Sequence, residues 1–179
     1  MTTYSYYIDY INGDDGNSGD EGSPWKTLVK AKTVLETYYA VNVYVNLYLE
    51  PGVHYVEAPF IILNMAGTLN IIGRVDSNGV FPTVLIRGSY SDLGYRGQFD
   101  IRMYELFTAA LSVKRIIFKF YGYVESTPTP TGDTFAANWR ARYTEVSQCA
   151  FLGRPSPITN SVHQSGLKLF ANAGGSHYP

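Results

Sequence analysis

The chain has 179 residues, 45% of them apolar and only 16% charged, with a formal net charge of −1. That length supports one domain with a real core, and that composition excludes an intrinsically disordered chain. Scattered basic residues argue against a nucleic-acid footprint, and a single cysteine, Cys149, excludes an intrachain disulfide.

The N-terminus MTTYSYYIDY has neither a basic n-region nor an apolar h-region, so no secretory leader is expected. No apolar run approaches the length of a membrane span. Sixteen tyrosines stand against two tryptophans. Tyr suits strands, and its polar tip also suits a surface that touches a partner. Both readings stay open on composition alone.

In chain order, Tyr7–Leu35 joins a short aromatic-rich strand, an acidic glycine loop and an amphipathic helix. The loop Asn12–Gly22 holds four Gly and four Asp/Glu in eleven residues, which makes it a surface turn. Ser23 is a suitable N-cap with Pro24 at the first helical position, and the spacing predicts a helix over Ser23–Tyr39. Leu28, Ala31, Val34, Leu35 and Tyr38 form its apolar face.

The string Tyr7-Ile8-Asp9, Asn12-Gly13-Asp14-Asp15-Gly16, Gly22-Ser23-Pro24-Trp25-Lys26-Thr27-Leu28 and Lys30-Ala31 resembles the N-terminal opening of right-handed parallel β-helix proteins of the pectin-lyase-like class. The match covers about twenty-five residues. It implies a solenoid whose first end is closed by the helix. It implies no activity, because that class holds lyases, hydrolases, adhesins and inert structural parts.

Beyond the helix, Val41–Glu50 alternates strictly. Val41, Val43, Val45, Leu47 and Leu49 take the inward face; Asn42, Tyr44, Asn46, Tyr48 and Glu50 take the outward one. Pro51-Gly52 then turns the chain into Val53-His54-Tyr55, with His54 expected as a surface contact at the corner. Tyr44, Tyr48, His54 and Tyr55 are the expected binding residues. Phe60–Met65, Thr68–Gly73 and Thr83–Gly88 read as short strands, with Asp76-Ser77-Asn78-Gly79 the clearest turn between them. Ala109–Phe120 reads as strand over a competing helical reading, because Ile116, Ile117, Phe118 and Phe120 favour strand.

Val113-x-x-Ile116-x-Phe118 recurs as Val146-x-x-Cys149-x-Phe151 at a spacing of 33 residues. On a β-helix such positions stack into ladders, which places Cys149 in the core above Ile116. The segment Glu125–Thr134 between them, with two prolines, reads as an excursion. After Thr159 the chain is turn-rich with one apolar segment, Leu167–Phe170, and no closing helix.

No catalytic, metal or cofactor site is expected. Asp14, Asp15, Asn17, Asp20 and Glu21 offer oxygen ligands for calcium, but the EF-hand register fails and turn chemistry accounts for them. Asp100-x-Arg102 is the nearest thing to an acid–base pair, and a solvated ion pair is the simpler account. His54, His163 and His177 are too dispersed for zinc.

The expected architecture is all-β: a short right-handed parallel β-helix of about four coils with an N-terminal capping α-helix. Residues 1–40 would form strand, acidic loop and cap, and 41–179 the coils of the same domain. The fold resemblance and the absence of a leader lead us to expect a virion structural protein. A phage tail spike, fibre component or head-decorating protein would fit, self-associating as a homotrimer and contacting other virion proteins or host surface glycan. A polysaccharide lyase or hydrolase and a bacterial adhesin are the alternatives.

Overall fold

A computed structural model describes residues 2–38, 42–56, 60–65, 67–87, 99–103, 110–121, 134–141, 143–152 and 164–171. In chain order the elements are β1 (Thr2–Ile8), α1 (Leu28–Leu35), β2 (Val43–Leu49), β3 (Val53–Val56) and β4 (Phe60–Met65). There follow β5 (Thr68–Gly73), β6 (Thr83–Arg87), β7 (Phe99–Met103), β8 (Ala110–Lys114) and β9 (Ile117–Tyr121). The last four are β10 (Thr134–Ala141), β11 (Tyr143–Ser147), β12 (Ala150–Leu152) and β13 (Gln164–Ala171). The described residues are thus mostly β, with one short helix.

Three sheets take these strands in rotation. The first has the order β1-β2-β5-β8-β11, the second β3-β6-β9-β12 and the third β4-β7-β10-β13. Every named strand pairing is parallel. The chain therefore visits all three sheets before it returns one rung further along, which is consistent with a parallel β-helix-like fold. Four such coils, β2–β4 to β11–β13, follow the β1 and α1 opening.

The alternation of β2 explains the core. Val43, Val45, Leu47 and Leu49 are buried and the residues between them are half-buried. Register carries the pattern across the first sheet, so that Tyr6, Leu47, Ile71, Val113 and Val146 form one inward row. The 33-residue recurrence is a true stacking: Val146 pairs with Val113 and Phe151 with Phe118. The two phenyl rings are stacked, with centroids 5.1 Å apart and planes nearly parallel. Ile116 and Phe118 are buried, while Cys149 and Phe151 pack partly buried against the same core. Burial pushes the Cys149 thiol pKa up, which suits a packing residue more than a reactive one.

Two corners repeat as well. Between β8 and β9 the chain turns at Arg115, and one coil on it turns at Gln148; both have left-handed φ, 59° and 53°. The expected single strand Ala109–Phe120 is accordingly two strands meeting at Arg115. Arg115 N–H donates to the Ser147 carbonyl, and Ala150 N–H to that of Ile116, so successive corners interlock. A side chain at Gly73 would collide with the Arg115 carbonyl, which is why glycine closes β5.

The helix is shorter than expected and starts later. Its N-cap is Thr27, whose side chain accepts from Lys30 N–H. Asp15, from the acidic loop, accepts from the Lys26 and Thr27 N–H groups and from the Thr27 hydroxyl. Ser23 and Pro24 instead lead an extended passage in which Trp25 bridges Ile8 in parallel, with Trp25 N–H donating to the Tyr7 carbonyl. Leu28, Ala31 and Leu35 are buried, and α1 packs on β1, β3 and β4 at the first coil. Of the expected excursion Glu125–Thr134, Thr134 opens β10 and the rest lies outside the described residues, as do the terminal segment 172–179 and the side chains of β13.

Candidate functional site

The outward face of the first sheet is where named side chains converge. Register places Ser5, Asn46, Asn70, Ser112 and Glu145 in one row that crosses all five strands. The Asn70 amide donates to the Asn46 amide oxygen at 2.8 Å, and the Ser112 hydroxyl to Glu145 Oε2 at 3.4 Å. Parallel strands advance about 4.8 Å per rung, so the row offers one hydrogen-bonding group at each step along the stack.

Aromatic residues flank this row. On one side lie Tyr7 and Tyr48, ring centroids 4.8 Å apart and stacked, followed by Ile72, Lys114 and Ser147. On the other lie Tyr44, Thr68, Ala110 and Tyr143, the last of these 59% exposed. Tyrosine brings rigid, amphipathic contact area at small entropic cost.

The charges on this face are held in pairs. Lys114 Nζ lies 3.0 Å from Glu145 Oε1. Arg74 Nη1 donates to Glu21 at 2.7 Å and to Glu50 at 2.9 Å, and the guanidinium sits 5.8 Å from the Tyr7 ring centroid. Hydrogen bonding to Glu21 raises the Arg74 pKa; burial, then Glu21, raises that of the Tyr7 phenol. Glu145 and Lys114 are both well exposed, so water screens their pair and its contribution to stability is small.

Neither a protein-family model nor a curated protein matches the chain. Among solved structures, a rhamnogalacturonan lyase is similar, with a TM-score of 0.43 and 15% identity. The alignment covers 92% of this chain and 61% of that one.

Of the expected binding residues, Tyr44 and Tyr48 lie on this face, both half-buried. Tyr55 does not: it points outward from the second sheet, its ring 4.9 Å from that of Tyr10. His54 is a correction. It is 2% exposed, pointing into the core in the row His54, Val84, Phe118, Phe151. Strand alternation is the reason, since Val53 and Tyr55 take the outward positions. Its Nε2 lies 2.7 Å from the Glu50 carbonyl, while Nδ1 is buried without a partner. Burial drives its pKa down, against the opposing influence of Glu50 and Asp9, so a neutral ring donating from Nε2 suits the site.

The acidic loop is occupied by its own turn. Asp9 accepts from Ile11 and Asn12, Asp14 from Gly16 N–H, and Asp20 from Gly22 N–H and the Ser18 hydroxyl. Gly19, at φ +84°, lies flat on the Trp25 ring where a side chain would collide. These carboxylates build the loop that positions Trp25 and Thr27. Asp100 and Arg102 belong to β7, but their side chains lie outside the described residues, as does His163. The row on the first sheet eluded sequence reasoning because its members are far apart in the chain. Only Asn46, between Tyr44 and Tyr48, carried an outward-face signal.

Proposed function

We propose that the chain is a short right-handed parallel β-helix of the pectin-lyase-like kind that binds polysaccharide along the outward face of its first sheet. The row Ser5, Asn46, Asn70, Ser112 and Glu145, flanked by the Tyr7–Tyr48 stack and by Tyr44, carries this reading. Amide, hydroxyl and carboxylate groups match sugar hydroxyls, and tyrosine rings match the apolar faces of pyranoses. The rise per rung is comparable to the length of one sugar unit, so a chain lying along the stack meets a polar group at each residue. A phage or viral particle, with the chain as a homotrimeric spike, fibre or decorating part touching host glycan, is the setting we propose. That setting is the expectation drawn from the sequence.

Affinity electrophoresis through gels containing polysaccharide tests the binding. The wild-type chain should be retarded by at least one polymer, and Asn70→Ala with Tyr48→Ala should abolish the retardation while the variant stays folded. A chain that runs unretarded in every gel overturns the reading.

A second reading, a polysaccharide lyase or hydrolase, is favoured by one observation: the Lys114–Glu145 pair sits within the proposed contact strip. Hydrolysis needs two carboxylates about the scissile bond and elimination needs a free base. Glu50 and Glu145 are each tied to a cation instead, which favours contact without cleavage. Unsaturated products or new reducing ends, lost on Lys114→Ala, would promote the enzyme.

A further inference from the structure

We infer that the polysaccharide bound by this face is uncharged and bears no uronate, an inference that rests on the polysaccharide reading above. The charged side chains that the described residues place on or beside the strip are Arg74, Lys114, Glu21, Glu50 and Glu145. Two cations thus face three carboxylates. Both cations are already paired with carboxylates, which leaves the strip with an excess of one negative charge. Arg74 Nη1 already serves Glu21 and Glu50, and Lys114 Nζ serves Glu145.

A uronate ionised at neutral pH would have to approach Glu145 along the polar row, or Glu50 at its aromatic edge. Like charges within a few ångströms repel, and here the carboxylates outnumber the cations that offset them, three to two. A neutral sugar meets no such barrier. The Asn46 and Asn70 amides, the Ser5 and Ser112 hydroxyls and the Glu145 carboxylate can all exchange hydrogen bonds with sugar hydroxyls, and each ion pair stays intact. The strip is built for hydroxyl recognition, with its charge used internally.

The test compares the intact chain in native gels containing hydroxyethylcellulose, galactan or mannan with gels containing polygalacturonate or alginate. Retardation by a neutral polymer, insensitive to added NaCl, with less or none by either uronate polymer, is the expected result. Stronger retardation by a uronate polymer overturns this inference and leaves the polysaccharide reading standing. No retardation by any polymer overturns both.

Glu145→Lys sharpens the comparison at an exposed position, and Glu145→Gln serves as the milder variant. Glu145→Lys should gain salt-sensitive affinity for polygalacturonate of roughly five-fold, and Glu145→Gln a smaller gain. A folded Glu145→Lys protein with no gain would mean that charge does not set the selectivity, which also overturns the inference.

Discussion

The first and second sheets share an interior and differ outside. Inward, both carry rows of large apolar residues, Tyr6 to Val146 in the first and Val84, Phe118 and Phe151 in the second. Outward, the first presents Asn46, Asn70, Ser112 and Glu145. The second presents Val53, Thr83, Ile117 and Ala150 in one row and Tyr55, Leu85, Lys119 and Leu152 in the next. Ladder hydrogen bonds and inward packing suffice to hold a coil, so the outward row is free to take whatever chemistry a ligand needs. Function on such a scaffold is therefore argued face by face.

The comparison breaks most severely if the interior is not shared. Leu28 and Leu35, both buried, cover the first coil where both sheets begin. Replacing both by Ser should unfold or aggregate the chain, because it exposes a coil end and places unpaired hydroxyls in the core. A soluble double variant with an unchanged melting temperature would remove the helix from the role of cap. Next in size, Phe118→Ala should cost about 3–5 kcal/mol and Leu47→Ala about 2–5 kcal/mol in denaturant titrations, since both side chains are fully buried. A cost in one sheet only would show that the two inward rows do not share a core.

The inward row of the second sheet begins with a polar residue, His54. Its folded pKa lies below the ordinary value near 6.5, with burial the leading cause. Below about pH 6.5 the unfolded chain takes up a proton that the folded chain refuses, so stability falls as pH drops, by up to about 1.4 kcal/mol per unit. Above that pH the residue contributes no slope. Asp9 acts in a lower window. Hydrogen bonds from Asn12 and Ile11 outweigh burial and hold its carboxyl below the usual range, so its contribution is present above about pH 4 and lost as pH falls through the folded value. His54→Phe should abolish the slope just below pH 6.5 and leave the acid limb. A wild-type melting temperature that is flat from pH 7 to about pH 5 would refute the assignment.

What was legible in the sequence follows from how local the signal is. The β2 alternation needs only its own seven residues, and it was read correctly. The stacking of Phe151 on Phe118 was legible because both corners between those strands have the same length. The neighbouring coils hide their repeat: partners in the first sheet are offset by 24 residues (Tyr44 to Thr68), then 42 (Thr68 to Ala110), then 33 (Ala110 to Tyr143). The corners at Arg115 and Gln148 gave no warning, since left-handed backbone is expected at glycine. The helix start was misplaced because its organiser, Asp15, stands twelve residues before Thr27. The polar row exists only once register is known, and register is set by loops whose lengths carry no periodicity.

The smallest expected effects on stability bear most directly on the two outward faces. Asn70→Ala on the first sheet and Thr83→Ala on the second each change a half-buried outward residue in a central strand. Both should alter stability by no more than about 1 kcal/mol, with Asn70→Ala the larger because Asn46 loses its amide partner. Their effects on retardation in a neutral-polysaccharide gel should separate sharply. Asn70→Ala removes a donor from the proposed contact row and should weaken retention about five- to ten-fold, the range of one lost hydrogen bond. Thr83→Ala should leave retention unchanged. Asn46→Ala combined with Asn70→Ala completes a cycle: if the amides act as one polar track, the double variant should lose less than the sum of the singles. Additive losses would mean that each amide meets the sugar independently. Equal losses from Asn70→Ala and Thr83→Ala would place the contact on neither face in particular, and the distinction between the sheets would then concern packing alone.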